Sequence, residues 1–143
     1  VKSGFEGRRL RAPSGSMAKK KIMIADDEED IKVVMQLFLE SKGYDIVTAF
    51  DGLDTIEKAK SEHPDLILLD VMMPVIDGFE VCKRLKADPA TFAIPIIMVS
   101  AASHAESKQR GLEAGAVDYV VKPFEPELLA QRVLETLGDA QRR

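Results

Sequence analysis

With 143 residues, 45% of them hydrophobic and 31% charged, the chain is one domain in length, long enough for a sizeable core and short for two. Its one cysteine, Cys82, excludes an internal disulfide or a cysteine-built metal cluster; no apolar run approaches a membrane span and no signal-peptide pattern precedes the first strand, so a cytoplasmic protein is expected. The net charge of -4 is unevenly divided: seven basic residues against Glu6 put +6 on residues 1–21 and leave -10 on the rest, an acidic body with no footing for nucleic acid.

Residues 1–19 read as a disordered basic leader, either an arm for an anionic partner or, with Ser14-Gly15-Ser16 directly before Met17, a cloning remnant ahead of an authentic start. The domain is expected over residues 20–139, with 140–143 as a frayed C-terminus. Ile22-Met23-Ile24-Ala25 forms a short apolar strand ending at Asp26-Asp27. From Glu28 to Ser41, Ile31, Val34, Leu37 and Phe38 recur at three- and four-residue spacing and define one helical face, and Gly43 stops the helix. Ile46–Ala49 is a second strand, residues 53–62 a helix with Ile56 and Ala59 inward, and Leu66–Leu69 a third strand ending on Asp70. Pro74 and Gly78 punctuate a loop before a helix at Glu80–Lys86. Pro95–Val99 is the fourth strand and 104–115 the fourth helix; Val117–Val121 is the fifth strand, and the helix over 125–137 buries Leu129, Val133 and Leu137.

Continuously apolar strands separated by amphipathic helices predict a parallel five-stranded sheet covered on both faces, a doubly wound α/β fold. Ligands of such sheets bind outside the carboxyl ends of the strands. There the sequence places Asp26 and Asp27 after the first strand, Asp70 after the third, Ser100 after the fourth and Lys122 after the fifth. Three carboxylates together repel one another unless a cation compensates them, and an all-oxygen set suits Mg2+ with retained waters. Lys122 and Ser100 then surround the oxygens of a phosphoryl group attacked by Asp70, giving a water-labile acyl phosphate suited to a reversible signal. Each residue has a plainer alternative: helix-dipole charge for the acidic run from Asp26 through Asp30, which accounts for Glu28 to Asp30 but not for two aspartates at the strand edge, a turn cap for Asp70, a surface lysine for Lys122, a helix cap for Ser100.

Four segments carry a family resemblance: Ile22–Asp27, Leu68-Leu69-Asp70-Val71-Met72-Met73-Pro74-Val75-Ile76-Asp77-Gly78, Val99-Ser100-Ala101, and Gly115–Phe124 with its Lys122-Pro123-Phe124 end. In this order and spacing they resemble the receiver domain of bacterial two-component response regulators, the CheY-like family with a (βα)5 flavodoxin-like fold, over about Lys20 to Gly138. The resemblance implies that Asp70 is the phosphoacceptor, that Asp27 ligates Mg2+ directly and Asp26 partly through water, and that the Met72 backbone carbonyl is a further ligand, with Mn2+ as a substitute metal. It also implies that Ser100 turns onto the phosphoryl oxygen, that Ala101 leaves it room, and that Lys122 contacts the phosphoryl group from a cis Lys122-Pro123 bond. Tyr119 is similar to the family's switch aromatic, whose ring is expected to move from an outward position into the space freed by Ser100, altering the helix 4–strand 5–helix 5 surface.

The implied donor is a sensor histidine kinase or histidine phosphotransfer protein, docking over the first helix and the loop into the fifth; Ile31 and Phe124 are the expected surface contacts. The implied reader is a downstream protein, an output domain of a longer regulator, or a second copy in a phosphorylation-dependent homodimer. Such a domain is no classical enzyme, though it assists its own phosphorylation and slow autodephosphorylation. Ser100 stands where threonine is more frequent, and the loop from Lys86 to Ala93 is longer than minimal. The alternative function is a phosphorylation-independent binding module. A dehalogenase-type phosphatase wants an acid where Met72 stands, and Asp26-Asp27-Glu28-Glu29-Asp30 would repel a flavin phosphate.

Overall fold

The computed structural model describes residues 19–142; the basic leader expected over 1–19 lies outside the described residues apart from Lys19, and residue 143 also lies outside. Five strands alternate with five helices: β1 (Lys21–Ala25), α1 (Glu29–Ser41), β2 (Asp45–Ala49), α2 (Gly52–Glu62), β3 (Leu66–Leu69), α3 (Gly78–Ala87), β4 (Ile96–Ser100), α4 (Ala105–Ala114), β5 (Asp118–Val121) and α5 (Pro126–Arg142). All pairings are parallel and the strand order is β2-β1-β3-β4-β5. The doubly wound sheet expected from the apolar runs is therefore present.

Strand periodicity sorts the core into two layers, because successive side chains leave opposite faces. Ile22, Ile24, Leu66, Leu68, Ile97 and Val99 pack with Met35 and Leu39 of α1 and Leu129, Val133 and Leu137 of α5. Met23, Ala25, Ile67, Leu69, Ile96 and Met98 pack with Ala59, Val81, Leu85 and Ala114 from α2, α3 and α4. Every residue of β3 and β4 is buried, which is why both read as unbroken apolar runs rather than as alternation.

On α1 the expected stripe is corrected. Its buried residues are Lys32, Met35 and Leu39, with Ile31 and Phe38 half-buried, while Val34 (57% exposed) and Leu37 (63%) face outward. The helix carries two overlapping apolar stripes, and packing selects the one that buries Met35 and Leu39 against the sheet. Ile31 and Phe124, expected as surface contacts, both pack partly against this core layer. Turn chemistry follows local rules elsewhere: Asp51 and Asp77 accept from the amides of Asp54 (2.8 Å) and Glu80 (2.9 Å) as N-caps, and Gly115 ends α4 at φ 115°. The long loop after α3 is tied down rather than open, because Lys86 Nζ donates to the carbonyls of Phe92 (2.9 Å) and Ile94 (2.6 Å) and Thr91 Oγ1 donates to that of Leu85 (2.7 Å).

Candidate functional site

The order of the sheet reverses between β1 and β3, and the residues that follow these two strands converge at that point. The Asp70 amide donates to the Ala25 carbonyl at 2.9 Å, which fixes the end of β3 beside the end of β1. Gly78 lets the start of α3 press against the same point: a Cβ there would lie 2.3 Å from the Asp70 carbonyl oxygen and 2.8 Å from Val71 Cα. Side-chain oxygens of Asp26, Asp27 and Asp70 consequently lie within 4.8 Å of one another, with Asp26 and Asp70 buried and Asp27 exposed. That donor set is wholly hard oxygen, which fits Mg2+ and disfavours a soft metal.

Asp70 is 4% exposed and its pKa is pushed up to about 6. Burial is the largest cause, followed by the Asp26 charge; the Lys122 ammonium and the Met72 amide, which donates to Asp70 Oδ1 at 3.2 Å, work the other way. Lys122 follows β5 and is buried; its amide donates to the Ser100 carbonyl at 2.8 Å, locking the ends of β4 and β5 together. Its Nζ donates to Asp26 Oδ2 at 2.8 Å and Glu28 Oε1 at 2.9 Å, and lies 3.6 Å from Asp70 Oδ2. Burial disfavours the ammonium, yet the bonds to Asp26 and Glu28 and the charge of Asp70 outweigh it, and the Lys122 pKa is raised. The Lys122-Pro123 bond is cis.

Ser100 is the last residue of β4, fully buried, and its Oγ accepts from the Ala102 amide at 3.2 Å. Ala101 is exposed at the rim. Tyr119 departs from the outward position expected of it: the ring is buried beside Gly111 and Met98, and its hydroxyl donates to the Ala102 carbonyl at 2.6 Å. Two causes are visible, an acceptor for the phenol and the missing Cβ of Gly111, where an added atom would meet Tyr119 Cδ2 at 3.1 Å. Met72 is exposed and reaches Asp70 through its amide.

Sequence reasoning thus named the aspartates, Lys122 and Ser100, and missed Glu28, which it read as helix-dipole charge. The available signal was a glutamate at an N-cap, where shorter polar residues cap better.

A five-stranded 2-1-3-4-5 sheet with buried acids and a buried lysine at its carboxyl rim defines a class: doubly wound α/β proteins with an acidic, lysine-bearing rim. Within it, the chain belongs to the response regulator receiver domain family of two-component systems, whose family model matches residues 22–134. It is 49% identical over 114 residues to the alkaline phosphatase synthesis transcriptional regulatory protein PhoP of Bacillus subtilis, covering 80% of this chain and 47% of that protein. The chain therefore spans about half the length of that relative. Among solved structures it is similar to a response regulator from Chloroflexus aurantiacus (TM-score 0.81, 36% identity, 85% of this chain and 99% of that one). It is also similar to the Vibrio cholerae chemotaxis protein CheY4 (TM-score 0.78, 35% identity, 82% and 98%).

Proposed function

We propose that Asp70 accepts a phosphoryl group, in a Mg2+-dependent reaction, from a phosphohistidine of a sensor histidine kinase or histidine phosphotransfer protein. The observation that carries this reading is the placement of Asp70: a buried carboxylate flanked by two acids within 4.8 Å and by the Lys122 ammonium at 3.6 Å. An Asp70 oxygen attacks phosphorus, the P–N bond of the donor breaks, the imidazole keeps the electron pair and takes up a proton, and an acyl phosphate forms. Mg2+, or Mn2+ in its place, held by Asp26, Asp27, Asp70 and the Met72 carbonyl, would neutralise charge on the phosphoryl oxygens. Lys122 and the Ser100 hydroxyl bind the remaining oxygens, and exposed Ala101 leaves the donor room to enter. Met72 and Ala102 offer no side-chain acid or amide to position a hydrolytic water, so the slow autodephosphorylation depends on shielding.

Ala102 links this chemistry to a surface: its amide donates to Ser100 Oγ and its carbonyl accepts from Tyr119. A Ser100 hydroxyl turning onto a phosphoryl oxygen alters the first bond, and the second transmits the change to Tyr119 and the face formed by α4, β5 and α5. Those elements expose Leu112 of α4 and Val117 just before β5 and carry the Arg132–Asp118 ion pair, a surface for a protein target or a second copy. The relative named above is a transcriptional regulatory protein, so in a longer regulator of this kind the face would govern a DNA-reading output domain, while the acidic receiver itself binds no nucleic acid. Among the described residues no helix is long and apolar enough to cross a membrane, and the place of action we assign is the cytoplasm.

Incubation with Mg2+ and acetyl phosphate, followed by intact mass measurement, should show one added phosphoryl group that is absent from Asp70→Asn and from chelator-treated protein. Equal labelling of Asp70→Asn would overturn the assignment. The inward Tyr119 ring, anchored on Ala102 and not on Asp70, favours one second reading, a binding module independent of phosphorylation. On that reading the ring-proton resonances of Tyr119 stay unchanged when beryllofluoride is added.

A further inference from the structure

Glu28 reaches the pocket from a position where its residue type is otherwise poorly suited. It stands at the N-cap of α1 with extended backbone (φ −87°, ψ 105°), yet its side chain makes no capping bond. Its carbonyl already accepts from the Lys32 amide at 3.1 Å, and its own amide donates to Asp26 Oδ1 at 2.8 Å, which fixes the direction in which the side chain leaves. A shorter acid here would fold back onto the first turn of α1. The longer glutamate instead extends to Lys122, and Oε1 accepts from Nζ at 2.9 Å.

The ammonium is thereby held between Glu28 and Asp26 and remains 3.6 Å from Asp70 Oδ2, beyond an ordinary N–H···O bond. The two restraints differ in strength. Asp26 is buried beside Lys122, whereas the Glu28 side chain is 58% exposed, so its bond is screened by water and is the one that yields. A phosphoryl group on Asp70 needs the ammonium on its own oxygen, and Glu28 competes for that group.

Resting on the assignment of Asp70 as acceptor, we propose that Glu28 is a positioning residue: a release latch that restrains Lys122 short of Asp70 until a phosphoryl group draws the ammonium away. The latch opposes loading, so weakening it favours the phosphoryl-bound state.

Beryllofluoride titration at saturating Mg2+ tests this, read by ring-proton resonances and by the Nζ resonance of Lys122 in lysine-labelled protein. Glu28→Gln should bind the probe about two- to fivefold more tightly than wild type, the scale of a half-exposed ion pair. Glu28→Asp, which keeps the charge but shortens the reach and turns back to cap α1, should match Glu28→Gln. Asp30→Asn, which removes an exposed charge from the same turn, should leave affinity unchanged. In both Glu28 variants the Lys122 Nζ resonance should shift before the probe is added, with thermal unfolding unaltered or slightly lowered in Glu28→Gln, which loses the bond, and unaltered or raised in Glu28→Asp, which gains a cap. Unchanged or weaker binding by Glu28→Gln overturns the latch, and so does equal tightening by Asp30→Asn, which would reduce the effect to bulk charge. Wild type that binds no beryllofluoride removes the reading of Asp70 and the latch with it; wild type that binds while the Glu28 variants do not differ removes the latch alone.

Discussion

The Asp70 carboxyl sits where burial and the Asp26 charge penalise its ionised form, and its pKa rises from 3.8 to about 6. The folded state therefore holds this proton more tightly than the unfolded chain does. The stability it contributes is complete below the unfolded value and is lost as the pH rises through about 6. In chelator, Asp70→Asn should be more stable than wild type to urea at pH 7.5, and the gain should vanish at or below 3.8, the unfolded value. A difference independent of pH would contradict this. Backbone strain lies a few residues away. Val75 is a β-branched residue at φ 75° in a tight turn, where the Ile76 amide donates to the Pro74 carbonyl at 3.0 Å, and it is 77% exposed, so no packing compensates. Val75→Gly should raise stability by about 1 kcal/mol, measured by thermal unfolding; a loss would show that Val75 makes a contact that outweighs its strain. The ionisable rim was legible residue by residue because each member follows an apolar run. Glu28 was not, since a run of acids at a helix start has an ordinary electrostatic reason to exist.

Elements were legible in type and less so in orientation. The unbroken apolar runs Leu66–Leu69 and Ile96–Val99 specified buried parallel strands, and the helices between them were found to within a few residues at their ends. On α1 the apolar residues exceed one face, so periodicity alone could not choose between the stripe through Val34 and Leu37 and the stripe through Met35 and Leu39. The same limit hid the Tyr119 ring, whose position depends on a residue of another element. Gly111 of α4 leaves the space, and an added Cβ would meet the ring at 3.1 Å and Met98 Cγ at 3.4 Å. Burial holds the Tyr119 phenol pKa above 10.0, opposed by the neighbouring Ser100 side chain. In a Tyr44→Phe background, Gly111→Ala should move the ring outward and lower the phenol titration toward its ordinary value, read by ultraviolet absorbance. An unchanged titration would show that the helix, rather than the ring, yields.

At the scale of the molecule, two core layers clamp one sheet, and the reversal of strand order between β1 and β3 opens the crevice in which Asp26, Asp27 and Asp70 meet. Strand order cannot be read from periodicity; the four motifs implied only a flavodoxin-like fold, and the order β2-β1-β3-β4-β5 found in the structure is the one that fold carries. The same architecture joins site to surface, since β4 and β5 end in Ser100 and Lys122 at the rim while β5 carries Tyr119 and the Asp118–Arg132 pair toward the α4–β5–α5 face. The proposed function turns on Asp70 as the acceptor. Borohydride reduces an acyl phosphate to an alcohol, so peptide mass spectrometry of phosphorylated and then reduced protein should find homoserine at position 70, dependent on phosphodonor and Mg2+. Homoserine at Asp26 or Asp27, or an unmodified Asp70 in protein that carries the phosphoryl group, would contradict the account.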